Sequence, residues 1–289
     1  MNDPPQGRRS RGAETAQRTD RPATDSSGIA PFSWPLIVLF LLAVLLASGL
    51  FLWLQAVFGS ALGAGDGDSA QWVQFGPALA IAAVVVYRRC TGLESEDLRT
   101  GVRTGRATWQ RAAVGVACGA AGMLVWLVLM RVFGLTDSLF TPIDEGWALP
   151  TVLVWTVLGS FGEELGWRGF LQPQLQGRFG FWAGTVATGL LWGAWHIQMF
   201  GEGAIYALGF LANTVALSFL MAFLIGRGTV GAVWIAGSVH AAVDLAGYVH
   251  GPGSGDGAGQ VWLQAIVFGG VAAAAGLLTY RFAVPERRG

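Results

Sequence analysis

The 289-residue sequence contains no lysine, only two cysteines and three histidines, and few charged residues of either sign. Charged residues make up 12% of the chain, about half the fraction in an ordinary soluble domain. The two cysteines, Cys90 and Cys118, are too few for a disulfide framework and fit no metal-ligand spacing. Basic and acidic residues cancel, so the net charge gives no reason to expect a nucleic-acid partner. Because hydrophobic residues make up 53%, the composition predicts a multi-pass protein of the lipid bilayer.

A transmembrane helix needs about 20 mostly apolar residues. Eight segments of the sequence qualify, and they are 33–58, 71–87, 112–133, 148–171, 181–200, 204–225, 229–249 and 260–282. Residues 1–30 are polar and rich in Arg, Pro, Ser and Thr, which predicts a disordered cytoplasmic tail. The expected fold is therefore all-α, with a bundle of about eight transmembrane helices occupying residues 31–285.

Arginine concentrates on one side of this arrangement. All arginines except Arg131 and Arg168 fall in the N-terminal tail, in the even-numbered connecting loops or at the C-terminus. Cytoplasmic loops of membrane proteins carry an excess of basic residues, so both termini are predicted to be cytoplasmic. The Arg-, Ala- and Gly-rich composition is typical of a GC-rich bacterial genome, and we expect a multi-pass protein of the bacterial inner (plasma) membrane.

Few ionisable residues lie inside the predicted spans. They are Glu163, Glu164 and Arg168 on the fourth helix, His196 on the fifth, and His240 and Asp244 on the seventh. At 1.5 Å per residue, both Glu163 and His196 lie ~24 Å from a cytoplasmic turn near Phe179-Gly180, and His240 lies ~20 Å from the same side. Three helices therefore place ionisable side chains in one layer. Such residues are costly inside a membrane and usually functional.

Helical spacing assigns directions to these side chains. Glu164 and Arg168 are four residues apart and are predicted to form an ion pair on one face, which by itself favours a structural role. Glu163 is rotated by about 100° from Glu164 and is predicted to face a cavity. His240 and Asp244 are also four residues apart. A single histidine in a membrane helix is more often a packing residue, but the whole set favours a functional site.

The set suits water-mediated hydrolysis. A carboxylate in an apolar surround can act as general base towards a water, and a neutral imidazole can share that water or stabilise an oxyanion. No serine or cysteine stands out as a nucleophile with a base beside it. Two histidines and several carboxylates are also a donor set for zinc, drawn from three helices, although the His-Glu-x-x-His pattern is absent. Hydrolysis with a zinc ion and hydrolysis without one both remain open.

Three motifs in this region resemble those of a known family. Glu163-Glu164-x-x-x-Arg168 is similar to the first motif of the CPBP family, the CAAX prenyl endopeptidase type II and bacteriocin-processing (Abi) intramembrane proteases. Trp192-x-x-x-His196 resembles the second, which is usually Phe-x-x-x-His, and we expect this change to affect packing only. His240-x-x-x-Asp244 resembles the third, where Asn is commoner than Asp. The order and spacing of all three fit between Gly162 and Asp244.

The resemblance implies an endopeptidase whose core lies at about 147–250 and whose site lies in the cytoplasmic half of the membrane. It implies these roles: Glu163 activates water with help from His196, His240 and Asp244 stabilise the oxyanion, and Arg168 holds Glu164. The family is commonly labelled metalloprotease. The implied partner is a membrane-associated protein or peptide substrate, and in a bacterium prenylated CAAX proteins are not expected to be that substrate.

Two other functions use the same residues. A proton-coupled transporter would use the carboxylates and histidines as a proton relay, but it would favour inverted repeats, which the sequence lacks. A non-catalytic membrane scaffold or immunity protein would keep the fold without turnover, and the intact motif set argues against it.

Overall fold

A computed structural model of the chain describes residues 32–59, 71–93, 96–137, 148–226, 228, 230–250 and 257–283. Across these residues the chain forms helices and no strand, which confirms the all-α prediction. The α-helices are α1 Trp34–Phe58, α2 Gly76–Thr91, α3 Glu96–Gly101, α4 Arg106–Val132, α5 Ala148–Gly166, α6 Gln172–Trp195, α7 Ala204–Ile225, α8 Ala232–His250 and α9 Gly257–Ala283. The predicted tail at residues 1–30 lies outside the described residues.

Each of the eight predicted segments overlaps one of the longer helices, and among the described α-helices the short α3 is the one that lies outside the segments. Within the described residues, five helical stretches are long and apolar enough to cross a membrane: Trp34–Phe58, Trp72–Thr91, Arg106–Val132, Ala204–Ile225 and Gly257–Tyr280. The other three long helices, α5, α6 and α8, carry or adjoin the ionisable residues singled out above. The polytopic helix bundle is thus confirmed, whereas the cytoplasmic position of both termini stays a prediction.

The fifth predicted segment, 181–200, differs most from the structure. Helix α6 begins at Gln172 and ends at Trp195, and a 3₁₀ helix, Ile197–Glu202, follows. The helical backbone is broken at Gly180, whose φ is 81° and ψ is 168°. A Cβ at Gly184 would lie only 2.5 Å from the backbone nitrogen of Gln176, so the two parts of α6 run back along each other. The chain therefore reverses at Gly180, where the sequence predicted a turn.

Helix α8 is fixed against α4 and α5. A Cβ at Gly115 would lie 3.0 Å from the Val239 side chain, and one at Gly119 would lie 3.0 Å from Ala242. Small residues at four-residue spacing let helix backbones approach closely in lipid. This contact sets the position of α8, and with it the positions of His240 and Asp244.

The segment between α5 and α6 is buried among aromatic side chains. It forms a π-helix, Trp167–Leu171. Phe40 of α1 contacts Trp167 edge to face at 5.8 Å and Phe170 at 5.0 Å between ring centroids. Arg88, which the sequence partition assigned to a loop, is fully buried on α2 with its guanidinium 5.4 Å from the centre of the Phe170 ring. The region around the first motif is therefore an interior part of the bundle.

Candidate active site

The first motif lies at the junction of α5 and the π-helix. Glu163 and Glu164 occupy the last turn of α5, and Arg168 is the second residue of the π-helix. All three side chains are buried, with relative exposures of 1%, 0% and 1%. Single π-helical turns within α-helices are rare and frequently occur at functional sites.

The predicted ion pair between Glu164 and Arg168 is present. Arg168 Nη1 donates to Glu164 Oε1 at 2.9 Å, and Arg168 Nη2 donates to Ser218 Oγ on α7 at 2.8 Å. His240 Nδ1 lies 3.0 Å from the same Oε1 atom of Glu164. A buried charge needs such partners, because breaking a buried pair leaves an uncompensated charge. Glu164 thus joins α5 to the π-helix and α8, in agreement with a supporting role.

Glu163 points away from this ion pair, as its rotation by one residue predicted. Its Oε2 atom accepts a hydrogen bond from the indole Nε1 of Trp192 on α6 at 2.8 Å. Among the described residues its second oxygen, Oε1, has no hydrogen-bond partner. One oxygen of this buried carboxylate is therefore held by the protein, while the other is available to a water or a substrate.

His240 contacts a carboxylate with each ring nitrogen. Nδ1 meets Glu164 Oε1, and Nε2 lies 3.2 Å from Asp244 Oδ2. A neutral imidazole carries one N–H, so both contacts are hydrogen bonds only when the ring is doubly protonated or one carboxyl group carries the proton. Asp244 also contacts Ser160 Oγ at 3.2 Å, and its side chain is 28% exposed. The Asp244 end of this chain of contacts is thus the part that a substrate reaches most easily.

His196 lies just beyond the end of α6, not within a helix as predicted. Its Nδ1 atom lies 2.9 Å from the carbonyl oxygen of Trp192. Because a carbonyl oxygen only accepts hydrogen bonds, Nδ1 carries the hydrogen and Nε2 of the neutral ring keeps a lone pair. The rings of Trp195 and Phe210 contact the imidazole at 4.8 and 5.1 Å between centroids. Among the described contacts, His196 makes no direct hydrogen bond to Glu163 or His240.

Trp192 connects the parts of the site, and the prediction that it affects packing only is wrong. Its indole N–H binds Glu163, and the guanidinium of Arg168 lies over its ring at 4.2 Å from the centroid. Its ring also meets His240 edge to face at 5.1 Å. A buried tryptophan usually finds a hydrogen-bond partner for its N–H. The replacement of the usual Phe by Trp192 in the second motif was therefore the signal in the sequence for an additional hydrogen bond. Ser218 and Ser160 were also missed, because a hydroxyl in an apolar helix has no distinguishing pattern.

The donor atoms do not form a zinc site in this arrangement. Within the part of the chain that the structure describes, no three His, Cys, Asp or Glu side chains are grouped to hold a metal ion. Both nitrogens of His240 face carboxylates, and Glu164 is occupied by Arg168 and His240. Among the described residues, His196 Nε2, Glu163 Oε1 and the buried Glu164 Oε2 have no hydrogen-bond partner. Zinc binding therefore stays an untested prediction, and no step below uses a metal.

Comparison with known proteins finds similarity in the part of the chain that contains the candidate site. Residues 145–246 match the Rce1-like family of type II CAAX prenyl endopeptidases. This segment, about a third of the chain, is therefore similar to that family, in agreement with the CPBP resemblance of the three motifs. It includes all three CPBP motifs and all of the site residues described above.

A curated relative supports the same assignment. CAAX prenyl protease 2 of Methanococcus maripaludis is 25% identical over 119 residues, which are 36% of this chain and 44% of the relative. The match thus spans less than half of the relative's length, and the activity in the relative's name is stated of the relative alone. Like the match at residues 145–246, it agrees with the CPBP resemblance of the three motifs, and the activity of this chain is a proposal.

Proposed function

We propose that this protein is an intramembrane endopeptidase that hydrolyses a peptide bond of a membrane-associated protein or peptide by glutamate-activated water. The observation that carries the proposal is the arrangement of Glu163. Its buried carboxylate has one oxygen held by Trp192 and one oxygen open, beside a network that fixes the neighbouring Glu164.

Glu163 is the general base. Its open oxygen, Oε1, accepts a proton from a water, and the resulting hydroxide attacks the carbonyl carbon of the scissile bond. The proton then passes from Glu163 to the leaving amine as that bond breaks. His196 offers the lone pair of Nε2 to the same water, and the Nδ1 hydrogen bond to the Trp192 carbonyl fixes this orientation.

His240 stabilises the oxyanion formed by this attack. Its Nε2–H is the donor nearest the exposed end of the network, and its contact with Asp244 is the longer of its two at 3.2 Å. A substrate carbonyl that approaches past Asp244 competes for this hydrogen bond. A preorganised donor in a site that excludes water stabilises such a developing charge strongly. Arg168 and Glu164 hold His240 in place, and they do not contact the substrate.

The depth of the site supports a position in the cytoplasmic half of the bilayer. Glu163 lies 15 residues after the start of α5, which is ~22 Å along the helix. The turn at Phe179 lies ~24 Å away in the other direction by the same rise, but the polar stretch Gln172-Pro173-Gln174 assigns part of that distance to the interface, which brings Glu163 towards the cytoplasmic side. In this proposal the substrate is a peptide anchored in the inner leaflet of a bacterial plasma membrane.

A cleavage assay in proteoliposomes tests the proposal. The substrate is a panel of fluorogenic peptides anchored by an acyl or prenyl chain, and the variant is Glu163→Gln. We expect the rate to fall by about 10²–10⁴-fold, because the variant loses its general base. Glu202→Gln is the matched control, since Glu202 is exposed and lies outside the network.

The outcomes separate the alternatives. A wild-type rate in Glu163→Gln contradicts the proposed base. Proton flux in the same liposomes that depends on Glu163, without any cleavage, supports a transporter instead. Zinc analysis of the purified protein, with a chelator control in the cleavage assay, tests metal dependence.

A further inference from the structure

We infer that Trp192 is a positioning residue, whose indole N–H orients the Glu163 carboxylate for the reaction. The inference rests on the proposed peptidase activity, and it adds a residue that the motif comparison treats as an aromatic packing position. The nearest described hydrogen-bond donor to Glu163 is this indole, at 2.8 Å.

The geometry gives Trp192 more than a packing role. Its side chain is 3% exposed and contacts three ionisable groups at once: Glu163 through the N–H, Arg168 through the ring face and His240 through the ring edge. A phenylalanine can keep the contacts to Arg168 and His240, but it has no N–H. The hydrogen bond to Glu163 is thus the contribution that only the tryptophan of this chain makes.

The hydrogen bond from Trp192 sets the orientation of the Glu163 carboxylate. The indole donates to Oε2, so this oxygen points towards α6, and Oε1 is left without a hydrogen-bond partner among the described residues. Without the N–H, the carboxylate can rotate and present either oxygen, and fewer of its conformations are productive. A misplaced catalytic group lowers the rate of the chemical step more than it lowers substrate binding.

Trp192→Phe tests this role. We expect kcat to fall about tenfold or more with KM unchanged, as for the loss of a hydrogen bond to a charged group. Trp126→Phe is the matched control: its indole is also buried and donates at 2.9 Å, to the Gln260 carbonyl, away from the site. Equal loss of thermal stability in the two variants, with loss of kcat only in Trp192→Phe, supports the inference.

Coupling to Glu163 distinguishes positioning from structure. In a Glu163→Asp background the shorter carboxylate no longer reaches the indole, so Trp192→Phe has a much smaller effect on kcat there. An equal effect of Trp192→Phe on kcat in both backgrounds overturns the inference. A kcat of Trp192→Phe within twofold of wild type also overturns it, because the expected decrease is about tenfold.

A second readout does not depend on peptidase activity. Dicyclohexylcarbodiimide modifies carboxyl groups inside membranes, and mass spectrometry measures its rate at Glu163. We expect several-fold faster modification when position 192 carries β-(3-benzothienyl)alanine, which keeps the shape of the indole and replaces N–H with sulfur. An unchanged rate overturns the inference. Faster modification in a protein without cleavage activity supports the contact while contradicting the proposed function.

Discussion

The bundle buries two polar clusters that differ in charge. The charged cluster consists of Glu163, Glu164, Arg168, His240 and Asp244, on α5, the π-helix and α8. The amide cluster consists of Asn213 on α7, Gln264 on α9 and Met123 on α4. Its members are neutral: Asn213 Nδ2 donates to Gln264 Oε1 at 2.9 Å, and Gln264 Nε2 lies 3.4 Å from Met123 Sδ.

The comparison shows why only one cluster is a candidate site. Neutral amides between membrane helices link those helices at small cost, and the amide cluster does this for α4, α7 and α9. Three carboxyl groups around one arginine and one histidine are much more costly to bury and are not needed to join helices. We therefore expect the charged cluster to serve activity and the amide cluster to serve stability alone.

The largest expected effect comes from Arg168→Met. The change leaves Glu164 without its cation inside the bundle, and breaking a buried pair in this way costs about 3–5 kcal/mol of unfolding free energy. Equilibrium unfolding in mixed micelles measures this loss. The double variant with Glu164→Gln is expected to recover part of it. If the double variant loses the sum of the two single losses, the pair is not coupled.

Ser218→Ala is expected to have a smaller effect on the same cluster. It removes the hydroxyl that accepts from Arg168 Nη2 at 2.8 Å. A hydrogen bond to a charged group contributes about 1.5–3 kcal/mol, and the same unfolding measurement should find a loss in this range together with reduced cleavage. Ser238→Ala is a suitable control, since among the described residues its hydroxyl bonds to the Trp234 carbonyl of its own helix and to no residue of the charged cluster. Equal losses in the two variants would argue against a role in the network.

Gln264→Leu tests the amide cluster. Interhelical hydrogen bonds in membranes contribute about 0.6 kcal/mol on average, with a maximum near 1.7, so a modest loss of stability is expected. Cleavage by the folded fraction should equal that of wild type. A specific loss of activity would show that the amide cluster takes part in function, and the comparison between the two clusters would fail.

Asp244→Asn should have the smallest effect. Asparagine keeps an oxygen that can accept from His240 Nε2, and the side chain at this position is 28% exposed. We expect a smaller loss of stability than in Gln264→Leu, because asparagine retains an acceptor for both His240 Nε2 and Ser160 Oγ. We also expect cleavage to continue, because Asn is the commoner residue of the third CPBP motif. Loss of cleavage in a stable variant would assign an essential role to the charge of Asp244.

The sequence was sufficient to predict the helical bundle and to single out all five residues of the charged cluster, together with His196. Long apolar runs predict helices because an unpaired backbone is too costly in lipid, and each of the eight predicted segments overlaps a described helix. Ionisable residues in such runs stand out for the same reason, which is why Glu163, His196 and His240 were found. The spacing of Glu164 and Arg168 was enough to predict their ion pair, since residues four apart lie on one helical face.

Only the tertiary structure decided how these groups contact one another. Sequence spacing is informative within a helix, but the relative rotation of separate helices depends on packing, such as the contact of Gly115 with Val239. That packing places the Trp192 indole on Glu163 and places His240 between Glu164 and Asp244. It also ends α6 at Trp195, which leaves His196 outside the helix. The sequence thus determined which ionisable residues lie within the apolar helices, and the packing of the helices determined which of their atoms are in contact.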